Sequence, residues 1–265
     1  IRPTINSKSY ALRVAECHMI VKEIQAKSIL SPSKIYPYVI NPYQGCQFGC
    51  TYCYAKFMRR FTGHKEPWGE FVDVKINAAE LLRKEVKKKK RDVVWISGVC
   101  DPYQPLETKY ALTRECIKIL AENDWPVVIQ TKSSLILRDM DILTRAKACE
   151  AGLSITTAED TVRELFEPKA PKIMDRVNAL GALHAAGIPT YAMIAPALPG
   201  AERLISLLEG KVDYIYLDKM NYAYAKGIYR AAKLEQYLTE EYFEYIKQKL
   251  LQECKKTGIE CRTIY

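Results

Sequence analysis

NPYQGCQFGCTYCY, residues 41–54, sets Cys46, Cys50 and Cys53 at the spacing C-x3-C-x2-C. Three thiols this close let a single loop present three thiolates to one inorganic centre. A four-iron cubane held by three cysteines leaves one iron for a non-protein ligand, whereas a cluster that only carries electrons is commonly closed by four thiolates. The spacing therefore points to an open-cornered cluster, and so to chemistry. A zinc site with a distant fourth ligand is the alternative, although zinc loops usually bring a second C-x2-4-C or H-x3-5-H and none lies downstream. Disulfides suit three close neighbours poorly.

Outward from this stretch, IYPYVI (35–40) is short, apolar and rich in β-branched and aromatic residues, a buried strand whose carboxyl end feeds the cysteines. Residues 1–34 form a lead-in segment with a short helix expected over Tyr10–Lys27. Tyr54–Phe61 reads as helix, and TGHKEPWGEF (62–71) as a loop covering the site. Asn77 is placed to N-cap AAELLRKEVKKKK. Strands and helices then alternate. Strands are expected at VVWIS (93–97), PVVIQT (126–131), LSITT (153–157), TYAMIA (190–195), YIYLD (214–218) and Glu260–Ile264. Helices are expected at Leu112–Asn123, Asp139–Glu150, Ile173–Ala186, Glu202–Leu208 and Tyr237–Lys256. Six or seven strands alternating with helices predict right-handed βαβ units and a parallel sheet buried on both faces.

With 265 residues, 48% of them hydrophobic and 27% charged, the chain has ordinary soluble composition and suits one domain, 35–265, after the lead-in. No run approaches eighteen apolar residues and no secretory leader is evident, so a cytoplasmic protein without a membrane span is expected. Nine cysteines, six of them scattered (Cys17, Cys100, Cys116, Cys149, Cys254, Cys261), fit a reducing compartment. A formal charge of +9 makes a polyanionic partner plausible. The basic run Lys87–Arg91 reads as a solvated helix end. His18, His64 and His184 offer no metal pair by spacing.

C-x3-C-x-aromatic-C resembles the signature of the radical S-adenosylmethionine (radical SAM) superfamily. The flanking text resembles its spore photoproduct lyase-like branch: KSIL (27–30), NPYQGC (41–46), CTYCYA (50–55), SGVCDPYQPLE (97–107) and EPKAPKIMDRVNALGALHAAGIPTYAMIAPALPG (167–200). The likeness runs from about Lys27 to Leu217. It implies an α/β fold, an open (β/α)6 partial TIM barrel, with its site at the carboxyl ends of parallel strands. It also implies a [4Fe-4S] cluster on Cys46, Cys50 and Cys53, with SAM chelating the open iron through its amino and carboxylate groups.

Reductive cleavage of SAM would then give a 5′-deoxyadenosyl radical that abstracts hydrogen from a substrate. Ser97 and Gly98 fall where the superfamily grips the SAM amine, and Asp101 is placed to take the amine or sulfonium. Lys132 suits the SAM carboxylate. Ser154 and Thr156 lie where the branch reaches the cofactor. Tyr52 matches an aromatic near the adenine, and Ile194–Gly200 is an apolar backbone suited to cover it. Arg176 and Glu159 are weaker candidates, more often surface residues.

Cys100 is a candidate hydrogen-atom donor, although the lyase's cysteine would align with Gly98. Tyr103, Tyr216, Tyr222 and Tyr224 are alternatives. The implied partners are a reductant such as flavodoxin or ferredoxin and a possible nucleic-acid substrate, with the protein a monomer. A radical enzyme acting on a peptide or small metabolite, and a non-catalytic iron-sulfur binder, are the competing readings.

Overall fold

The computed structural model describes residues 19–264. Strands β1 (Ile20–Ile24), β2 (Ser31–Pro32), β3 (Tyr38–Ile40) and β4 (Tyr43–Gln44) precede the cysteines; a 3-10 helix (Tyr54–Phe61) and β5 (Phe71–Lys75) follow. The alternation then runs α1 (Ala78–Glu85), β6 (Val94–Ile96), α2 (Glu107–Tyr110), α3 (Leu112–Glu122), β7 (Val127–Thr131), α4 (Met140–Leu143), β8 (Cys149–Ser154) and α5 (Asp160–Phe166). It continues through α6 (Ile173–Ala185), β9 (Thr190–Ile194), α7 (Leu204–Leu208), β10 (Tyr214–Leu217), α8 (Lys226–Ala231), α9 (Glu240–Thr257) and β11 (Glu260–Thr263).

Eight strands make the main sheet, in the order β11-β10-β9-β8-β7-β6-β3-β2. All its pairings are parallel except β2 with β3. Sequential order with helical crossovers curls such a sheet toward a barrel. Since β11 and β2 are its two edges among the described residues, the barrel is open, as the (β/α)6 reading expects.

Each strand alternates between two apolar faces. Ile96, Ile129, Leu153, Ile194 and Leu217 are fully buried and join the main core with Ile117, Val177, Leu180 and Ile246 of the helices. On the other face, Trp95, Val128, Tyr191, Tyr214 and Tyr216 cluster together with Tyr36 and Met193. Gly152 of β8 makes room there: a Cβ at this position would stand 2.1 Å from the Tyr191 ring.

A second sheet, β1-β5-β4, lies beside the cysteines. Neither β1 nor β5 was anticipated. The helix expected over Tyr10–Lys27 is replaced in its described part by β1, which pairs in parallel with β5 from Ile20 to Ile24; the rest of that helix lies outside the described residues, as do Cys17 and His18. The helix expected over Asp139–Glu150 is also corrected. Only Met140–Leu143 is α-helical, and the strand already begins at Cys149, where Cys149 and Glu150 pair in parallel with Val127 and Val128 of β7. Asn77 precedes α1 without capping it. Its side chain instead clasps the Ala26 backbone, accepting from N and donating to O, both at 2.9 Å.

Gly152→Ala is expected to destabilise the fold by about 1–3 kcal/mol through overpacking, seen as a lower urea midpoint with an unchanged m-value. An unaltered midpoint would show that the Tyr191 ring does not occupy that space.

Candidate active site

The three cysteines occupy the loop between β4 and the 3-10 helix, which is braced by a set of protein hydrogen bonds. The Gln104 side chain accepts from Gln47 N (2.9 Å) and donates to Gly45 O (3.3 Å), while Gln47 Oε1 accepts from Leu106 N (2.6 Å). Thr51 N donates to Phe166 O at 2.8 Å, and Lys56 Nζ donates to Thr51 O at 2.6 Å. Gly45 turns at φ 96°, where a Cβ would stand 2.4 Å from Phe71 O. The loop expected to cover the site does lie against it: a Cβ on Gly69 would come within 2.7 Å of Gly49 Cα.

Cys46, Cys50 and Tyr52 are buried in one apolar cluster with Phe48, Phe166 and Leu198, against which Cys53, Trp68 and Cys100 pack. Leu198 brings the Ile194–Gly200 segment, expected as a cover for the adenine, into the cluster of the cysteines. Burial pushes all three thiols up, Cys50 to about 12, so a metal's positive charge is what would hold them as thiolates.

Two donors beside them are orphaned. Trp68 Nε1, next to Cys53, and the Ser97 hydroxyl, next to Cys100, are buried without a well-directed hydrogen bond. Two buried thiols and a half-buried third, with the Trp68 indole N–H beside Cys53, fit a sulfur-bound cluster. Among the described residues no three His, Cys, Asp or Glu are grouped to hold a single metal ion; one zinc would need its sulfurs at ~2.3 Å from a common point, whereas a cubane spreads its ligands over separate irons.

Beneath the loop lies a buried polar network. Arg176 on α6 and Glu167 are both fully buried and stand 2.6 Å apart, though the N–H is not aimed at Glu167 Oε2, which keeps no directed bond. Glu167 Oε1 accepts from the Tyr52 hydroxyl and from Thr156 Oγ1, the latter at 3.0 Å. Arg176 also donates to Ser154 O (3.0 Å) and Pro171 O (2.8 Å). Lys132 Nζ stands 5.7 Å over the Tyr52 ring. Burial works against its ammonium, yet Cys50 and Glu167 hold its pKa above the ordinary lysine value. For Glu167, burial is outweighed by Arg176, Lys132 and the Tyr52 hydroxyl, and its carboxyl is held below the usual range.

The structure thus gathers Tyr52, Lys132, Ser154 and Thr156 around one ion pair. Arg176 is no surface residue, contrary to the sequence reading: it is drawn inside by Glu167, a residue that reading passed over although it opens the quoted EPKAP stretch. Glu159 instead pairs with Arg203 on a half-exposed edge.

The remaining candidates flank this centre. Ser97 leaves β6 at φ 65°, and Gly98 O accepts from the Tyr54 hydroxyl. The Asp101 carboxylate faces protein donors: Thr131 Oγ1 at 2.5 Å, Lys132 N at 2.8 Å and Tyr103 N at 3.0 Å. It ties the loop after β6 to the end of β7. The Cys100 thiol donates to Tyr43 O at 3.3 Å, and burial pushes it up to about 12.

Among the tyrosines, Tyr103 is fully buried while Tyr222 and Tyr224 are exposed. His64 lies outside the thiol loop, between Glu66 (3.1 Å) and Asp73 (2.9 Å) and stacked on Phe71. His184 stands 3.0 Å from Thr190 Oγ1.

Residues 40–203 match the Radical SAM superfamily. An uncharacterized protein of Methanocaldococcus jannaschii is 36% identical over 205 residues, 75% of this chain and 77% of that one. A further uncharacterized relative, from Mycobacterium tuberculosis, is 31% identical over 172 residues, and the chain spans half its length. Among solved structures, spore photoproduct lyase with a dinucleoside spore photoproduct superposes with TM-score 0.67 at 15% identity, over 92% of this chain and 82% of that one. SuiB of Streptococcus suis bound to the precursor peptide SuiA gives TM-score 0.55 at 17% identity, over 86% and 48%.

Glu167→Gln, leaving a buried guanidinium without its counter-ion, is expected to cost about 3–5 kcal/mol in the cluster-free protein; adding Arg176→Met should recover part of that. The carboxyl is depressed in the folded state, so its stabilisation is complete above the ordinary value of 4.5 and is lost as pH falls below it. The gap between wild type and Glu167→Gln in urea melts should narrow on acidification; a gap independent of pH would contradict the ion pair.

Proposed function

The chain belongs to the radical SAM superfamily, whose members use a [4Fe-4S] cluster and SAM, and we propose on that basis that it is an enzyme cleaving SAM reductively to start radical chemistry on a nucleic-acid substrate. Held by Cys46, Cys50 and Cys53, a bound cluster would supply the electron for the reductive cleavage of SAM that starts hydrogen abstraction.

The observation that carries the reading is the set of three free thiols, two buried and the third half-buried, on one loop braced by the Gln104 side chain. Cys46, Cys50 and Cys53 would hold the cluster. Lys132, kept cationic beside Cys50, is the partner for the SAM carboxylate. Tyr52, Ser154 and Thr156 line the same network, and Ser97 and Gly98 offer a hydroxyl and backbone beside it. Asp101 acts through others: its bonds to Thr131 and Lys132 N fix where the lysine starts. Leu198 and its neighbours exclude water from the thiols. Cys100 is the nearby thiol for hydrogen return, held ready by the Tyr43 carbonyl.

Members of the superfamily need a reductant, and a flavodoxin or ferredoxin is the proposed donor. No described helix is long and apolar enough to cross a membrane. The nucleic-acid reading is supported by the +9 charge and by the dinucleoside held by a protein of like fold.

Anaerobically reconstituted protein with SAM and dithionite is expected to release 5′-deoxyadenosine, measured by mass spectrometry. Cys50→Ala should abolish release, and Lys132→Ala should weaken SAM binding about 10–100-fold, the range for a lost charge-assisted hydrogen bond. Wild type with a full cluster and no deoxyadenosine would rule out the catalytic reading.

A further inference from the structure

Exposed aromatic side chains are not scattered over this molecule. Among the described residues, every exposed phenylalanine (Phe57, Phe61) and three of the four exposed tyrosines (Tyr54, Tyr222, Tyr224) belong to one patch. Phe61 is 66% exposed and Tyr222 and Tyr224 about half, a cost in solvated apolar area that isolated surface residues do not explain.

The patch is continuous. Tyr222 stacks on Tyr54 at 6.4 Å and on Tyr224 at 5.7 Å, the second pair only 6° from parallel. Phe57 meets Phe61 edge to face. In the 3-10 helix, Tyr54, Phe57 and Arg60 recur every third residue and so share a face.

Its charge is of one sign. Arg60 lies over both phenylalanine rings, at 5.7 and 5.3 Å, and Lys56 over Tyr224 at 5.5 Å. From Ile24 to Lys65 the chain has no Asp or Glu, and none occurs from Lys219 to Leu234, a stretch that adds Lys226, Arg230 and Lys233. Neither Arg59 nor Arg60 makes a salt bridge among the described residues. The patch also reaches the site, because the Tyr54 hydroxyl donates to Gly98 O and Tyr54 follows Cys53 directly.

Flat rings left in water, separated by unpaired cations, are what a strand of unpaired nucleotides needs: faces for bases and charges for phosphates. We propose that the surface formed by Tyr54–Phe61 and Tyr222–Tyr224 is a stacking platform that binds a nucleic-acid strand through unpaired bases and leads it toward the cysteine loop. This deepens the nucleic-acid reading above and names its form, single-stranded or locally opened.

A duplex would offer the phosphates but keep its base faces hidden. An acidic peptide would satisfy the cations without using the rings.

The test is fluorescence anisotropy with labelled oligothymidylate, a duplex of equal length and polyglutamate, each across a salt series, on reconstituted protein. The single strand is expected to bind more tightly than the duplex or polyglutamate. Phe57→Ala/Phe61→Ala should weaken the strand by roughly tenfold or more while leaving the salt slope unchanged. Arg59→Gln/Arg60→Gln should instead lower the slope of log K against log salt by about 0.7 per lost phosphate contact. Circular dichroism and SAM binding, unchanged in both variants, would show that the fold is intact.

Equal binding of strand and duplex, indifference to loss of the phenylalanines, or preference for polyglutamate would each overturn the platform. If oligonucleotide fails to bind while wild type still releases 5′-deoxyadenosine, the platform falls and SAM cleavage stands. If deoxyadenosine is absent but the strand binds as described, the reverse holds.

Discussion

Much of this structure depends on one guanidinium taken wholly out of water. Removing Arg176 from solvent is costly unless its charge and its N–H groups are answered, and the answers come from separate parts of the chain: Glu167, the Ser154 carbonyl at the end of β8 and the Pro171 carbonyl before α6. Glu167 in turn accepts from Tyr52 between two cysteines. Strand, crossover helix and thiol loop are therefore registered against one another by a single polar knot. The knot also shapes the local field, because its carboxylate favours the ammonium of Lys132 while its guanidinium opposes it.

Around the knot, the backbone is shaped by close approach rather than by side-chain filling. Gly45 abuts Phe71 O, and Gly49 and Gly69 nearly touch, so the thiol loop lies close against β5 and the loop that leads into it. That second sheet ties residues 71–75 to β1 and β4. The face of the main sheet turned from its helices is lined by Trp95, Tyr191, Tyr214 and Tyr216.

The parallel strands were legible because both their faces are buried, which leaves nearly unbroken apolar runs such as VVIQT and YIYL. The cysteine spacing was legible because the ligands are neighbours in sequence. Elements whose reasons lie far away in the chain were not. β1, IVKEI, has mixed polarity and exists through its pairing with β5, 51 residues on at Ile20↔Phe71. The start of β8, Cys149 and Glu150, was taken into the preceding helix because what makes it strand is pairing with Val127 and Val128 of β7, more than twenty residues earlier. Arg176 read as a solvent charge since nothing near it in sequence marks Glu167, nine residues earlier and ahead of a proline, as its counter-ion. Asp101 and Lys132 were read as paired with a ligand; Asp101 proves to accept from the lysine's own N–H, a contact between loops that spacing cannot reveal.

The double-glutamine brace has a corollary for the fold. Gln47 and Gln104 draw the curve of the loop with amide bonds that never involve sulfur. A loop braced in this way draws part of its shape from bonds that do not run through the metal, unlike small zinc modules whose fold rests on their ion.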